Sequence, residues 1–330
     1  MPAPTRAVAG AASGFSRRLV PCSRPQLASL SRSLTRLLPP TSTASSPWPT
    51  SRCHSTFSSV NPNEVSHFTA LAAEWWEPHG SSRLLHLMNP LRHDLIRACL
   101  SESPPSSPPY SPPSSSPSAS ASASASSSSG ISTGIPDNSI TYLDIGCGGG
   151  IFAESAARLP TTKHVTAIDP TPSVLAVAKA HARKDPSLAG KLSYQLTSVE
   201  QLPIPADEGQ GYDVVTLFEV IEHVDDPAAF LDRVRPLVRP GGWLVMSTIA
   251  RTWISWLTTN LIAEDILRIV PPGTHDWNKY VNEDELRGFL AGKGWDSARV
   301  VGVVYVPGLG WREVKGSEKV GNYFFAVRKV

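Results

Sequence analysis

Short apolar runs alternate with helical segments between residues 140 and 250, and this alternation constrains the fold more than any other feature of the sequence. The apolar runs are ITYLDIG, HVTAIDP, KLSYQLT, YDVVTLF and GWLVMSTI, each short enough to be a buried strand. The segments IFAESAARLP, PSVLAVAKAHARK and DPAAFLDRVRPLV have the length and apolar spacing of helices. Such alternation is typical of βαβ units, in which helices pack on both faces of a parallel sheet. The sequence therefore predicts an α/β fold with a doubly wound sheet.

Segments on either side of this core add further elements to the prediction. After the helical segment NEDELRGFLAGKG, the runs ARVVGVVYVPG and NYFFAVRK are two further strands, which makes seven in total. Before the core, the segments NEVSHFTALAAEWWEPHG and NPLRHDLIRACL each predict a helix. Asn89 is the expected N-cap of the second helix and Pro90 its first residue. We expect a mostly parallel, seven-stranded sheet with N-terminal helices.

The charge of the chain is unevenly distributed along its length. No Asp or Glu precedes Glu64, whereas seven arginines do. The whole chain has 30 basic and 28 acidic residues, so leaving out these arginines gives the rest a net charge of about −5. An N-terminus rich in Arg, Ser, Ala and Leu without acid is typical of a mitochondrial transit peptide, which we assign to residues 1–57; a disordered basic tail is the alternative. The rest has no basic excess that would bind nucleic acid.

Two further segments differ in composition from the core. Residues 101–136 are almost entirely Ser, Pro and Ala, so they cannot bury enough apolar area to fold, and we expect a disordered surface insertion. The segment TWISWLTTNLIAEDILRIV predicts an amphipathic helical insertion after the fifth strand. Its charges exclude a membrane-spanning helix, so it either lies on a membrane surface or packs as a lid on the core.

A glycine-rich loop, LDIGCGGG, connects the first predicted strand of the core to a helix. Gly146, Gly148 and Gly150 allow the backbone to turn tightly and to approach a ligand closely at a helix N-terminus. Ile151 stands where a dinucleotide-binding fingerprint needs glycine or alanine, which disfavours a nicotinamide cofactor. Asp169 ends the second predicted strand and suits a carboxylate that binds ribose hydroxyls. The loop and the aspartate together predict a nucleoside-containing cofactor.

The fourth predicted strand runs into the sequence EVIEH, which holds three side chains of the metal-ligand type. Glu219, Glu222 and His223 are spaced at i, i+3 and i+4, so a helical turn would place them on one face. They lie directly after an apolar run that predicts a buried strand. The spacing indicates either a functional site or a polar surface at the start of a helix.

Several motifs of the core together resemble the class I S-adenosylmethionine-dependent methyltransferases. These motifs are the glycine loop with Asp144 before it, AIDP, YDVVTLFEVIEHV and VRPGGWLVMST. The flanking segments FTALAAEWWEPHGSSRLLHLMNPLRHDLI and SWLTTNLIAEDILRIVPPGTHDWNKYV are similar to those of one family, the ubiquinone-biosynthesis O-methyltransferases. The resemblance covers nearly all of residues 63–330 except the Ser/Pro-rich insertion. It makes residues 58–330 a methyltransferase domain that is interrupted by residues 101–136.

The resemblance implies which reaction the chain catalyses. S-adenosylmethionine would donate a methyl group to a catechol hydroxyl of a polyprenylated ubiquinone precursor, of the 3,4-dihydroxy-5-polyprenylbenzoate and demethylubiquinol type. Two alternatives remain at this point. One is a methyltransferase for a soluble catechol, and the other is a non-catalytic scaffold subunit that binds the cofactor.

The resemblance also implies which residues contact the cofactor. The contacts carried over onto this sequence are Arg92, Gly146, Asp169 and Phe218. Arg92 would bind the methionine carboxylate through a bidentate pair, and Phe218 would lie against the adenine ring. Many relatives have an acid after the third strand, where this chain has Ser198. The adenine amino group would then be bound by Glu200 or by backbone.

The resemblance further implies that Glu219, Glu222 and His223 bind a divalent metal. Mg²⁺ is the expected ion, and the histidine leaves Zn²⁺ or Mn²⁺ open. A bound cation would stabilise the catecholate, with Glu222 and His223 as the catalytic residues. The alternative is a polar helix start in which His223 alone acts as a general base.

Finally, the resemblance implies a location and partners. The enzyme would bind peripherally to the matrix side of the mitochondrial inner membrane, where its prenylated substrate resides. Other ubiquinone-biosynthesis proteins would join it in a complex.

Overall fold

An eight-stranded sheet forms the centre of the part of the chain that the structure, a computed structural model, describes. The described residues are 57–80, 82–102, 135–251 and 280–330. The strands are β1 (Ile140–Ile145), β2 (Thr162–Asp169), β3 (Leu192–Leu196), β4 (Tyr212–Phe218), β5 (Val238–Ile249), β6 (Trp295–Val306), β7 (Gly310–Glu313) and β8 (Asn322–Lys329). They lie in the order β3-β2-β1-β4-β5-β8-β6-β7.

Six α-helices accompany the sheet in the same described residues. They are α1 (Pro62–Leu71), α2 (Arg83–Glu102), α3 (Ile151–Ala157), α4 (Pro172–Ala182), α5 (Pro227–Val234) and α6 (Glu283–Leu290). Helix α3 connects β1 to β2, and α4 connects β2 to β3. Short 3₁₀ turns occur at Ala72–Glu74 after α1 and at Ile221–His223 after β4.

The strand pairing confirms the α/β fold with a doubly wound, mostly parallel sheet. Strands β3, β2, β1, β4 and β5 pair in parallel, whereas β8, β6 and β7 join by antiparallel pairs. The count is eight strands rather than the predicted seven. The chain turns after β6, where Leu309 N donates to Val306 O at 2.9 Å, and returns as the short strand β7. Gly308 and Gly310, both with positive φ, allow this turn.

Helices on both faces bury the central strands. Tyr142 and Leu143 are neighbours in β1, and their side chains therefore point to opposite faces of the sheet. Tyr142 packs in a cluster that contains residues of α2 and α3, including Phe152. Leu143 belongs to a second cluster with residues of α5 and α6, including Phe230. Because both faces are buried, the strands are continuous apolar runs, as parallel strands usually are.

Helix α2 begins at Arg83, so the prediction that Asn89 and Pro90 mark its start is wrong. Both residues lie inside the helix, although proline removes one backbone hydrogen bond there. The side chain of Asn89 is buried and donates to Ile151 O at 3.0 Å. Asn89 therefore holds α2 against α3. The local sequence does not reveal this contact.

The end of α2 also differs from the prediction. Ser101 and Glu102 belong to the helix, so the expected boundary of the insertion at residue 101 is two residues too early. Glu102 forms an ion pair with Arg299 of β6, which extends the helix past the last buried residue, Leu100.

Three predicted segments lie wholly or almost wholly outside the described residues. They are the transit peptide, the Ser/Pro-rich insertion and the helical insertion after strand five, and they remain predictions. No helix in the part of the chain that is described has the length and apolar character needed to cross a membrane.

Candidate active site

The carboxyl ends of the central parallel strands border a cavity of about 320 Å³. Strands β1 and β4 are neighbours here, while the chain proceeds from β1 to β2 on one side and from β4 to β5 on the other. Such a switch point opens a crevice in which α/β proteins bind ligands. Six of the predicted site residues belong to the wall of the cavity: Gly146, Asp169, Phe218, Glu219, Glu222 and His223.

The glycine loop presents backbone alone to this cavity. Gly146 has a φ of +69°, and a Cβ atom there would lie 2.6 Å from Cγ2 of Val220. Gly148 has a φ of +53°, and its Cβ would lie 2.3 Å from the ring of Trp75. Both the backbone conformation and the lack of space therefore require glycine. The loop fits the predicted role of a close backbone approach to a ligand.

Asp169 ends β2, and its carboxylate holds the glycine loop in place. One oxygen accepts from the N–H of Gly148 at 3.0 Å, and the other accepts from the N–H of Thr171 at 2.8 Å. Burial raises the pKa of Asp169, and these two backbone donors oppose the rise. Each carboxylate oxygen has a second lone pair, so the same side chain can hold the loop and still accept from ribose hydroxyls.

Two tryptophans attach the N-terminal segment to the glycine loop, although the sequence alone predicts no function for either of them. Trp75 is buried and lies against Gly148 and Gly149. Trp76 donates from Nε1 to Gly149 O at 2.8 Å, and its ring stacks on His181 at 3.5 Å between centroids. The only local signal is the adjacent pair of tryptophans, which gives no indication of a partner 73 residues away.

Arg92 lies behind the cavity wall rather than on it. Its guanidinium carbon is 4.5 Å from the centroid of the Phe218 ring, and Nη2 donates to Ser247 Oγ at 3.2 Å. Nη2 also lies 3.5 Å from Glu219 Oε1. Burial lowers the pKa of Arg92, although Glu219 and Asp144 oppose this effect. Its contact with a methionine carboxylate remains a prediction.

Glu219, Glu222 and His223 meet at the cavity, but they do not form one helical face. Glu219 has a φ of +54°, so the chain bends sharply at the end of β4. Helical structure is limited to the single 3₁₀ turn Ile221–His223. The prediction of one shared helical face is therefore wrong, because the bend at Glu219 separates it from the turn that holds the other two.

Each of these three side chains has a partner within the protein. Glu219 accepts from Ser247 Oγ at 2.6 Å, and Glu222 accepts from Thr248 Oγ1 at 3.0 Å. Ser247 and Thr248, which provide these hydroxyls, are adjacent residues of β5. Nδ1 of His223 lies 2.9 Å from Oε2 of Glu64 in α1, a contact that the sequence did not indicate.

Burial and charge change the proton affinities of this cluster. Burial together with the charge of Glu219 raises the pKa of Glu222 to about 8. Burial lowers the pKa of His223, but its contact with Glu64 and the nearby glutamates outweigh that effect, so the net pKa is raised. Both groups therefore hold protons more tightly than they would in water.

The side chains of this cluster are of the types that bind a divalent metal, but their positions do not suit one. Two carboxylates and one imidazole are suitable ligands for such an ion. Among the described residues, however, no group of three or more His, Cys, Asp or Glu side chains is placed to hold a metal ion. To converge on an ion, the side chains of the cluster would have to move from their present positions. The metal remains a prediction.

The adenine-binding residue is only partly defined by the cavity. Ser198 lies on the wall, as do its neighbours Thr197 and Val199. The carboxylate of Glu200 instead accepts from the backbone N–H of Ser59. Of the two predicted alternatives, the backbone near Ser198 is therefore better placed than the side chain of Glu200.

The sheet, the glycine loop and the acid that ends β2 define a methyltransferase with the class I, Rossmann-like fold. A comparison with known families agrees, because the family described as "Methyltransferase domain" matches residues 124–298.

Similar proteins define the family more narrowly. A Candida albicans protein named "Ubiquinone biosynthesis O-methyltransferase, mitochondrial" is 40% identical over 286 residues, covering 82% of this chain and 86% of its own length. The protein of that name from Saccharomyces cerevisiae is 37% identical, with coverage of 84% and 90%. "Ubiquinone biosynthesis O-methyltransferase" from Caulobacter sp. (strain K31) is 36% identical, with coverage of 82% and 95%. The chain belongs to the family of ubiquinone biosynthesis O-methyltransferases, which are S-adenosylmethionine-dependent enzymes.

Proposed function

We propose that the chain methylates a catechol hydroxyl of a polyprenylated ubiquinone precursor, of the dihydroxy-polyprenylbenzoate and demethylubiquinol type. One observation carries this proposal: a single cavity is bordered both by the glycine loop and by the cluster of Glu219, Glu222 and His223. A methyl donor at the loop would therefore lie in the same space as a group that can receive the hydroxyl proton.

The rest of the cavity wall supports an apolar acceptor. Apolar side chains from the N-terminal segment, α2 and β5 line it, namely Val65, Phe68, Leu71, Leu85, Met88 and Ile249. A prenyl tail gains free energy when it leaves water for such surroundings, at about 0.8 kcal/mol per buried CH₂. The wall therefore favours a tailed catechol over a small polar one.

The cofactor in this proposal lies along the glycine loop. Gly146 provides backbone contact, Asp169 accepts from ribose hydroxyls, and Phe218 lies against the adenine ring. Arg92 binds the methionine carboxylate after a movement of its side chain from behind Phe218. S-adenosylmethionine supplies an electrophilic methyl group on a sulfonium.

The methyl transfer is an in-line displacement, so the protein acts mainly by positioning and by excluding water. The bond from sulfur to the methyl carbon breaks as the bond from the catechol oxygen to that carbon forms. S-adenosylhomocysteine leaves, and His223 accepts the proton of the hydroxyl as general base. Above its pKa of about 8, Glu222 is ionised and stabilises the imidazolium that results.

The metal is a separate part of this proposal. We propose that Glu219, Glu222 and His223 bind a divalent cation, with Mg²⁺ as the expected ion, and that it stabilises the catecholate. The types of donor and their common cavity support this assignment, and the present placement of the side chains opposes it.

We also propose a location and a domain organisation. Residues 1–57 are a transit peptide, residues 58–330 are the methyltransferase domain, and the Ser/Pro-rich segment from residue 103 to about residue 136 is a disordered insertion. The enzyme lies on the matrix side of the mitochondrial inner membrane as a peripheral protein, in a complex with other ubiquinone-biosynthesis proteins. The acid-free N-terminus supports the mitochondrial location, and so does the word "mitochondrial" in the names of the fungal relatives.

The direct test is methyl transfer from S-adenosylmethionine to a prenylated catechol, followed by mass spectrometry. We expect one catechol methyl ether for each S-adenosylhomocysteine formed, and a loss of about 10²–10⁴-fold with His223→Ala. Formation of no methyl ether by the parent enzyme would contradict the proposal.

A further inference from the structure

Helix α1 reaches the cavity and places a carboxylate on the histidine of the site. Glu64 lies in the first turn of α1, and its Oε2 is 2.9 Å from Nδ1 of His223, which comes 159 residues later in the chain. The two side chains are 23% and 19% exposed, and both residues line the cavity. This contact therefore lies at the cavity and not on the outer surface.

A second residue of α1 contacts the same imidazole ring. Phe68 follows Glu64 by four residues, so both lie on one face of the helix. The Phe68 ring meets the His223 ring edge to face, with centroids 5.0 Å apart and planes at 78°. No residue of α1 is itself fully buried. The face of α1 that carries Glu64 and Phe68 therefore borders the cavity and contacts the side chain of His223 there.

Polar contacts fix α1 against the loop that carries His223. Asn61 caps the helix, accepting from Asn63 N, and its Nδ2 donates to both carboxylate oxygens of Asp225 at 3.0 and 3.1 Å. Asp225 is two residues after His223. The start of α1 is therefore held to the loop after β4 on the N-terminal side of Glu64, and the contact of Phe68 with His223 lies on the other side.

We propose that Glu64 is a positioning residue for His223, so that α1 completes the acceptor side of the active site. An imidazole has two ring nitrogens, and the hydrogen bond made by one determines which role the other can take. Because Glu64 binds Nδ1, Nε2 is the nitrogen that is left for the substrate. The inference rests on the proposed function, since it takes His223 as the residue that acts on the acceptor.

This role is the same for either chemistry of His223. A carboxylate behind a catalytic histidine fixes its tautomer and its orientation. A carboxylate behind a metal-bound histidine does the same for the ligand. Removal of such a partner typically reduces activity by about 10–100-fold.

The test compares Glu64→Ala with Glu64→Gln in the otherwise unchanged enzyme. We expect Glu64→Ala to lower kcat for catechol methylation by about 10–100-fold, with S-adenosylhomocysteine affinity within about twofold of the parent. Glu64→Gln should recover most of the loss, because its amide oxygen still accepts from Nδ1–H. Glu74→Ala removes an exposed carboxylate of the same N-terminal segment and serves as the matched control, with no change expected.

A double-mutant cycle separates positioning from a merely structural effect. In a His223→Ala background, Glu64→Ala should cause no further loss of kcat. An equal loss in both backgrounds would overturn the inference, and so would a parallel loss of S-adenosylhomocysteine affinity. Parent-like kcat for Glu64→Ala, together with an inactive His223→Ala, would overturn this inference but not the proposed function. A fully active His223→Ala would overturn this inference and the role of His223 as general base, whereas only a parent enzyme that forms no methyl ether would overturn the proposed function.

Discussion

Several single residues of this site make two contacts that serve different purposes. Asp169 is the clearest case, because its carboxylate accepts from the backbone of Gly148 and also lines the cavity. The local sequence predicted Asp169 and Gly146, because a glycine loop after one strand and an acid at the end of the next strand form a pattern that is visible in the sequence. It did not predict Glu64, because that role depends on a contact across 159 residues.

Asp169→Ala tests the cofactor side of the site. We expect the affinity for S-adenosylhomocysteine to fall by about 1.5–3 kcal/mol, which is typical of hydrogen bonds to a charged group. Isothermal titration calorimetry measures this change. Asp185→Ala is a matched control, since Asp185 also caps a short turn, at Ser187, but does not line the cavity. An unchanged affinity for Asp169→Ala would exclude this residue from the cofactor site.

At the scale of elements, the apolar runs predicted the five parallel strands well. Buried parallel strands need apolar residues on both faces, and this requirement is visible in any short window of sequence. Two predictions failed where a contact between elements decides the outcome. Asn89 packs between α2 and α3 instead of capping a helix, and the turn after β6 leads into an additional strand.

Trp76 attaches the N-terminal segment to the glycine loop, and its replacement tests whether this attachment supports cofactor binding. Trp76→Ala removes a hydrogen bond to Gly149 and a stacked ring, which are each worth about 1 kcal/mol. We expect S-adenosylhomocysteine affinity to fall by about tenfold, because the glycine loop would lose a contact that holds Gly149 in place. Trp76→Phe retains the stacking and should be intermediate. Parent-like affinity for Trp76→Ala in calorimetry would show that the attachment is not needed for cofactor binding.

At the scale of the whole molecule, one cavity joins parts that are far apart in the chain. The glycine loop, the cluster of Glu219, Glu222 and His223, and helix α1 all meet there. The sequence predicted the first two as separate motifs, and the resemblance joined them in one reaction. It did not predict how α1 covers them, because the spacing of apolar residues in a helix does not say which surface the helix meets.

Exhaustive treatment with a chelator tests the proposed cation in the intact enzyme. We expect activity to be lost and then restored by Mg²⁺, while the affinity for S-adenosylhomocysteine stays unchanged. Glu222→Gln, which removes one charge but keeps the shape, should lose activity and recover in part with excess Mg²⁺. If His223 acts alone as a base, chelation will be harmless and Glu222→Gln will be mild. Full activity of the parent enzyme after chelation would rule out the metal.

The central claim is that a polyprenylated catechol is the methyl acceptor, and one comparison tests it most directly. The measurement is kcat/KM for a catechol with a polyprenyl tail and for the same catechol without it, in identical detergent and with saturating S-adenosylmethionine. Burial of even part of the tail on the apolar wall should favour the tailed catechol by more than about 100-fold. Equal kcat/KM values, or a preference for the tail-free catechol, would contradict the account and indicate a methyltransferase for a soluble catechol.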